Sequence, residues 1–268
     1  MTHLSTNPAA SLPPRLSTRA AFRLLVPMAV VLALLLPRPA LSTERKLVSS
    51  VAAENNDGPD AQIIRAVARR LDTALVIRHA PFKRRLQLMK DGEIDFMPGL
   101  LKRPEREVYI HYLPVPYKER SDTIFIVHRD RASRIRTYED LYSLRIGTIL
   151  GSKYFPRFDG DPRLDKEAVA TGASNIRKLL MDRIDAVVYP ESAGIELIHN
   201  LGIEDRVALA DFRFAGEKHV FIGVSRKSPL MDRIDAFEAV VGAMIASGEI
   251  RSIIVDYYVR RNLPIPAL

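Results

Sequence analysis

The chain has 268 residues, 47% hydrophobic and 27% charged, a balance that suits a globular protein with a sizeable core and argues against intrinsic disorder. The absence of cysteine excludes disulfides, thiol catalysis and thiolate metal sites together. The net charge of +8 overstates the basicity of the bulk of the chain, because residues 1–42 hold four Arg and no acid, which leaves 36 basic and 32 acidic residues beyond them. That bias is too weak to point to a nucleic-acid partner.

The N-terminus is polar through residue 23, with Arg15, Arg19 and Arg23, and is followed by the apolar run Leu24–Leu36. As a helix this run rises only about 20 Å, short of a hydrocarbon core of about 30 Å. Pro37-Arg38-Pro39 closes it, and small residues follow at Ala40-Leu41-Ser42. A basic start, a short apolar middle and a small-residue end form a secretory signal pattern, so residues 1–42 are expected to be a signal peptide and the remainder periplasmic. An uncleaved anchor is the alternative. No later run approaches spanning length.

From Arg45 onward strand and helix signals alternate, which predicts an α/β protein. Lys46–Ala53 reads as a strand and Glu54–Gly58 as a polar loop. Pro59 suits the first turn of a helix over Asp60–Leu71, whose Ile63, Ile64, Val67 and Leu71 form an apolar stripe. Leu75–Ile77 is a strand. Around Phe82–Asp91 an amphipathic helix keeps Leu86 and Met89 on one stripe, with Phe82 near it and Lys83, Arg84, Arg85 and Lys90 off it. Gly92 fits the position after the helix, where positive φ is needed. Ile94, Phe96 and Met97 form a short strand that Pro98-Gly99 ends. Strands are further expected at Tyr109–Leu113, Thr123–Val127, Leu144–Leu150, Ala186–Tyr189 and Val220–Val224. Helices are expected at Thr137–Tyr142, near Lys153, at Asn175–Met181, Ser192–Asn200, Asp232–Ser247 and Glu249–Tyr258.

Two segments echo one another. LQLMKDGEIDFMP at 86–98 and RKLLMDRIDAVVYP at 177–190 share an apolar helix end, a turn, Ile-Asp, an apolar strand and Pro. Two lobes of one build would place them so. The hexapeptide MDRIDA also occurs at both 181–186 and 231–236, but its flanks differ: the first copy leads into a strand and the second into a helix. The six His, at 3, 79, 111, 128, 199 and 219, have no metal-ligand spacing, and no nucleophile elbow, phosphate loop or zinc-protease motif is present. Neither metal nor cofactor is implied. His128–Arg136 carries four Arg but is interrupted by Asp130 and lacks aromatic residues for base stacking, so it reads as a solvated basic turn.

The order helix, Gly92-Glu93-Ile94-Asp95, short strand, then Gly99 followed by Pro104-Glu105-Arg106 resembles the periplasmic solute-binding proteins of the polar amino acid uptake family, family 3. Tyr138–Leu141 with Leu144–Gly147 and Gly151-Ser152, then Ile184–Val188, then Phe221–Val224 continue the likeness from about Leu47 to Tyr258. The resemblance implies a two-lobe fold of the type II-like kind, with the ligand cleft between lobes. Lobe one would be residues 43–119 plus 220–268 and lobe two residues 120–219, with crossings near Glu119–Ser121 and Lys218–Val220. It also implies capture of a small solute by hinge closure, delivery to an inner-membrane permease or sensor, a monomer, and no cofactor.

By the same resemblance Arg106 would grip a ligand carboxylate, Gly99 would let the ligand approach the loop, and Gly151 and Ser152 would offer amide groups at a helix start. Phe82, Tyr117 and Tyr189 would supply aromatic walls. Two positions depart from the family pattern. Leu101 stands where a hydroxyl helps to hold the carboxylate, and Pro190 where an acid receives an α-ammonium group, with Glu191 next to it. Glu54-Asn55-Asn56 replaces an aromatic platform. A small polar or anionic organic solute, amino-acid-like or not, is therefore the expected ligand. A dehydratase-like enzyme with Glu191 or Glu54 as the acid is the alternative, as is a ligand-binding sensor or accessory protein.

Overall fold

The computed structural model describes residues 46–54 and 57–268. The expected signal peptide and Asn55-Asn56 lie outside the described residues. Two sheets organise the chain. The first contains β1 (Leu47–Val51), β2 (Leu75–His79), β3 (Phe96–Leu101), β4 (Ile110–Tyr112), β5 (Lys118–Arg120) and β11 (Glu217–Ser225). Its strand order is β2-β1-β3-β11-β4, with β5 pairing β11; β1 runs parallel to β2 and β3, and β11 antiparallel to its three partners. The second sheet contains β6 (Thr123–His128), β7 (Arg145–Ile149), β8 (Asp165–Val169), β9 (Ala186–Pro190) and β10 (Val207–Phe214), in the order β10-β6-β9-β7-β8.

Helices cover both sheets. Around the first sheet lie α1 (Pro59–Arg70), α2 (Phe82–Asp91), the short α3 (Pro104–Glu107), α7 (Ile234–Ala246) and α8 (Glu249–Arg260). The second sheet carries α4 (Pro156–Gly160), α5 (Gly172–Leu180) and α6 (Glu191–Leu201). The stripe read in α1 is buried at Ile63, Ile64 and Val67, where it joins Phe96, Phe237, Tyr257 and Tyr258 in the largest core cluster. Leu88, Met89, Ile94 and Met97 pack a second cluster beneath α2. Phe125, Phe155 and Phe158 anchor one face of the second sheet, while Ile124, Ile176 and Ile184 anchor the other.

The echo noted in the sequence has a structural basis. In the first sheet the Asp95 carboxylate accepts a hydrogen bond from the backbone N–H of Val48 at 2.7 Å, and the Asp95 N–H donates to the Val48 carbonyl at 2.7 Å. In the second sheet Asp185 makes the same two-way clamp on Arg145, accepting from its N–H at 2.9 Å and donating to its carbonyl at 2.8 Å. Each Ile-Asp thus fixes the first parallel strand of its sheet beside the strand that follows. The two MDRIDA copies diverge as their flanks demand: 181–186 is a turn ending in β9, and 231–236 runs from a 3-10 turn into α7.

Three strands escape a sequence reading. β5 has three residues, β8 (DKEAV) is a largely exposed strand at a sheet edge without apolar alternation, and β10 is broken by a register shift between Leu209 and Arg213. The helix expected near Lys153 is a correction. Gly151 and Ser152 sit in a turn, and the helix starts only at Pro156. The α-helix expected over Thr137–Tyr142 is instead a 3-10 helix over Glu139–Ser143. The basic turn at His128–Arg136 is ion-paired: Arg131 meets Asp182 at 2.8 Å and Arg134 meets Asp185 at 3.2 Å.

The chain passes between the sheets through Ser121-Asp122 and returns through Ala215-Gly216; Lys218–Val220, expected as a crossing, lies within β11. Among the described residues no helix is long and apolar enough to cross a membrane.

Asp95 is 3% exposed, so Asp95→Ala strips a partner from a buried backbone donor and from the Ser228 hydroxyl. It is expected to cost about 3 kcal/mol. Asp185, more accessible, is expected to cost less when replaced by Ala. Urea unfolding of both variants checks the order.

Candidate functional site

A cavity of about 190 Å³ lies between the two sheets and is lined from both. Three elements of the first sheet's lobe build one wall. Glu54, three residues beyond the end of β1, and Asp60, in the first turn of α1, both line it. β3 contributes Gly99 and Leu101. Gly99 has φ +81, and a Cβ there would stand 3.2 Å from Asp60 Oδ2, so only glycine lets the strand pass this carboxylate unstrained.

Arg106, on α3, is 5% exposed. Its Nη2 donates to the Gly151 carbonyl of the opposite lobe at 3.1 Å, and its guanidinium lies 5.5 Å from the Phe82 ring centre. Among the described residues no carboxylate pairs with it. Arg85 shares the same ring at 5.3 Å, and its Nε is buried without a hydrogen-bond partner. Burial holds the Arg85 guanidinium below its ordinary value, chiefly opposed by Asp60. Tyr117 donates from its hydroxyl to Asp60 Oδ1 at 3.0 Å, and burial together with that carboxylate pushes its phenol well up.

The other lobe contributes Ser152, Tyr154, Tyr189 and the first turns of α6. On this helix Ser192, Ala193 and Glu196 line the cavity. Glu196 accepts from the Tyr258 hydroxyl at 2.7 Å. Two lysines stand near the crossings. Lys118, 8% exposed, reaches Ser192 Oγ at 3.4 Å, and Lys218 donates to Thr123 Oγ1. Lys218 also lies 5.4 Å from the Phe214 ring centre. Burial pulls the Lys218 ammonium down to about 8, against the opposing fields of Asp122 and Asp159.

A family model, bacterial extracellular solute-binding proteins, family 3, matches residues 45–260. The chain belongs to this family. No curated protein matches it by sequence. Among solved structures, an amino acid ABC transporter substrate-binding protein, AbpA, from Streptococcus pneumoniae with bound L-arginine superposes with TM-score 0.69 at 19% identity, covering 82% of this chain and 98% of that one. An ancestral arginine-binding protein bound to glutamine gives TM-score 0.67 at 18% identity over 80% and 97% of the two chains. A Salmonella typhimurium periplasmic binding protein described as highly arginine-specific gives 0.65 at 18% identity over 78% and 97%. At these identities the likeness speaks for the two-lobe fold.

In this family 3 solute-binding protein the residues singled out in the sequence separate into two groups. Arg106, Gly99, Leu101, Ser152, Phe82, Tyr117, Tyr189 and Glu54 all line the cavity. Gly151 and Glu191 do not. Gly151 offers its carbonyl to Arg106 rather than an amide to a ligand. Glu191 pairs with Arg213 at 2.8 Å and accepts from the Ala267 N–H at 3.0 Å. One residue along a helix turns the side chain by about 100°, and Ser192 takes the inward direction that Glu191 lacks.

The sequence reading passed over Asp60, Arg85, Lys118, Glu196 and Lys218. Arg85 had a usable signal, since it lies three residues after Phe82 and so shares its helix face. Ser192 and Glu196 are likewise four apart. Lys118 had none.

The depressed Lys218 has a consequence for stability. Between about pH 8 and its ordinary value of 10.5 the unfolded chain holds a proton that the folded protein lacks. Stability therefore gains a rising contribution with pH across this window. Lys218→Met is expected to flatten that rise, measured by urea unfolding from about pH 7 to 9.5, below the range where buried tyrosines dominate.

Proposed function

We propose that the protein captures a small anionic or polar organic solute between its lobes, holding a carboxylate on Arg106, and presents it in the closed form to a membrane permease. The single observation that carries this reading is Arg106 itself: a buried guanidinium at the cleft, donating across it to a backbone carbonyl and paired with no carboxylate among the described residues. A buried cation without a counter-ion is costly, and a ligand carboxylate on its planar donor fork removes that cost. The contact with Gly151 ties this capture to closure, because the groups that meet around the ligand come from both lobes.

The amino acid ligands of the structural neighbours support an amino-acid-sized solute, and the apolar run at residues 24–36 supports export to the periplasm. The two moving bodies are the lobe of the first sheet, which keeps β5 and β11 whole, and the lobe of the second sheet between Ser121-Asp122 and Ala215-Gly216. The enzymatic alternative is weakened at its best acid, since Glu191 is ion-paired outside the cavity. Glu54 accepts from the Ala173 N–H at 3.3 Å and acts as a contact between lobes.

Arg106→Ala is expected to weaken solute binding by about 2–5 kcal/mol, the scale for truncating one partner of a buried charge pair. Isothermal titration with any solute found by thermal shift measures it. A loss below about tenfold, or 1.4 kcal/mol, overturns the assignment of Arg106 as anchor.

A further inference from the structure

The two lobes are tied together at a place outside the two crossings. α6 belongs to the lobe of the second sheet, yet its Ile195 is 6% exposed and packs into the largest core cluster, whose other members belong to the first lobe. From the first lobe, Tyr258 on α8 donates its hydroxyl to Glu196 Oε1 on α6 at 2.7 Å, and the Ser192 carbonyl lies 3.1 Å from the same hydroxyl. Tyr258 is fully buried, so separating it from α6 leaves a polar group without a partner in an apolar setting.

Beyond α8 the chain stays on the molecule. The Leu263 N–H donates to the Tyr258 carbonyl at 2.9 Å, Leu263 and Leu268 pack against the core of the first lobe, and Pro266 is buried. At Ala267 this segment meets the second lobe, where its N–H donates to Glu191 Oε2 at 3.0 Å. The other carboxylate oxygen of Glu191 pairs with Arg213 of β10 at 2.8 Å, and the Glu191 N–H donates to the carbonyl of Asp122, in the first crossing, at 2.8 Å. Asp122, 2% exposed, pairs in turn with Arg120 of β5 at 2.9 Å. Residues 261–268 thus run from the first lobe to the start of α6 and reach an acid whose other partners stand at the hinge.

From these contacts we infer that α8 and the segment after it form a third strap between the lobes, which holds α6 in the closed arrangement and sets how far the solute-free protein opens. The inference rests on the hinge-closure reading and goes beyond it by naming what biases the hinge. α6 is the element through which the strap acts, because Ser192, Ala193 and Glu196 on it line the cleft. Rotating the second lobe away draws Glu196 from Tyr258 and Ile195 from the core, and both losses oppose opening. A protein biased toward closure in this way needs less of a solute's binding energy for the conformational change.

The chain has no cysteine, so Lys90→Cys on α2 and Arg177→Cys on α5, both exposed, accept spin labels at one defined point in each lobe. Pulsed dipolar measurement of the distance between the labels in the solute-free protein then gives the populations of closed and open forms. Tyr258→Phe and Ala267→Pro each remove one donor of the strap. Each is expected to lower the closed-to-open ratio by about fivefold, the scale of one net hydrogen bond, and the two together by more than either alone. Arg260→Gln, on α8 but paired with Asp256 of its own helix, is expected to leave the distances unchanged. Ala267→Pro alters a segment outside every helix and strand, so the test stands even where Tyr258→Phe fails to fold. A spread of distances that neither variant alters, or a shift of equal size in Arg260→Gln, overturns the strap alone. One fixed distance in the unaltered protein and in both variants overturns the hinge reading with it.

Discussion

The clamp between an aspartate and the first strand of each sheet is the constraint on which the site depends. Asp95 holds β1 against β3 by two hydrogen bonds to one residue, Val48. Because β1 and β3 run parallel, their carboxyl ends fall on the same side, where Glu54 and the Gly99–Arg106 segment emerge. Parallel sheets gather ligand-binding loops at that end. Asp185 repeats the arrangement on Arg145, which brings the turn after β7, with Gly151 and Ser152, to face the first lobe. A charge-assisted bond to a buried N–H is well suited to this task, since its loss leaves an unsatisfied donor rather than a merely weaker contact.

Electrostatics then decides what the cleft accepts. Carboxylates and cations both line it, and each carboxylate accepts a hydrogen bond from the protein, through Tyr117, Ala173 and Tyr258. The cations are met mostly by neutral oxygens, and burial raises the advantage of any anion that replaces them. The same aromatic ring, Phe82, lies near both Arg85 and Arg106, which orients two guanidinium groups without neutralising either.

Much of this architecture was legible because it rests on local chemistry. Pro59 at a helix start, the Ile63–Val67 stripe, Gly92 with φ 80 and the Ile-Asp echo each have a sequence signature with one physical cause. The site was legible where a side chain sat on a loop named by that pattern, as with Arg106 and Gly99. It was not where direction depended on tertiary placement. Glu191 and Ser192 are neighbours in sequence, yet the start of α6 sends one to Arg213 and the other into the cavity. Lys118 sits on a three-residue strand whose existence depends on β11, about a hundred residues later, so nothing near it in sequence announces its role.

The two crossings run side by side. Thr123 stands opposite Phe214 in one sheet, and Arg120 opposite Glu217 in the other, so both passages are flanked by paired strands on each side. Such a ribbon can twist or bend as a unit, but sliding one strand along the other would break ladder bonds in both sheets. In the proposed hinge motion, opening would be a rotation about the ribbon, with displacement growing with distance from it. In the same motion Lys118 and Lys218, on the strands that flank the ribbon, would move little, while Arg106 and Gly151, which meet across the cleft, would part. On the proposed capture by closure, one end of the cleft would meet a solute before closing, and the other only by completing it.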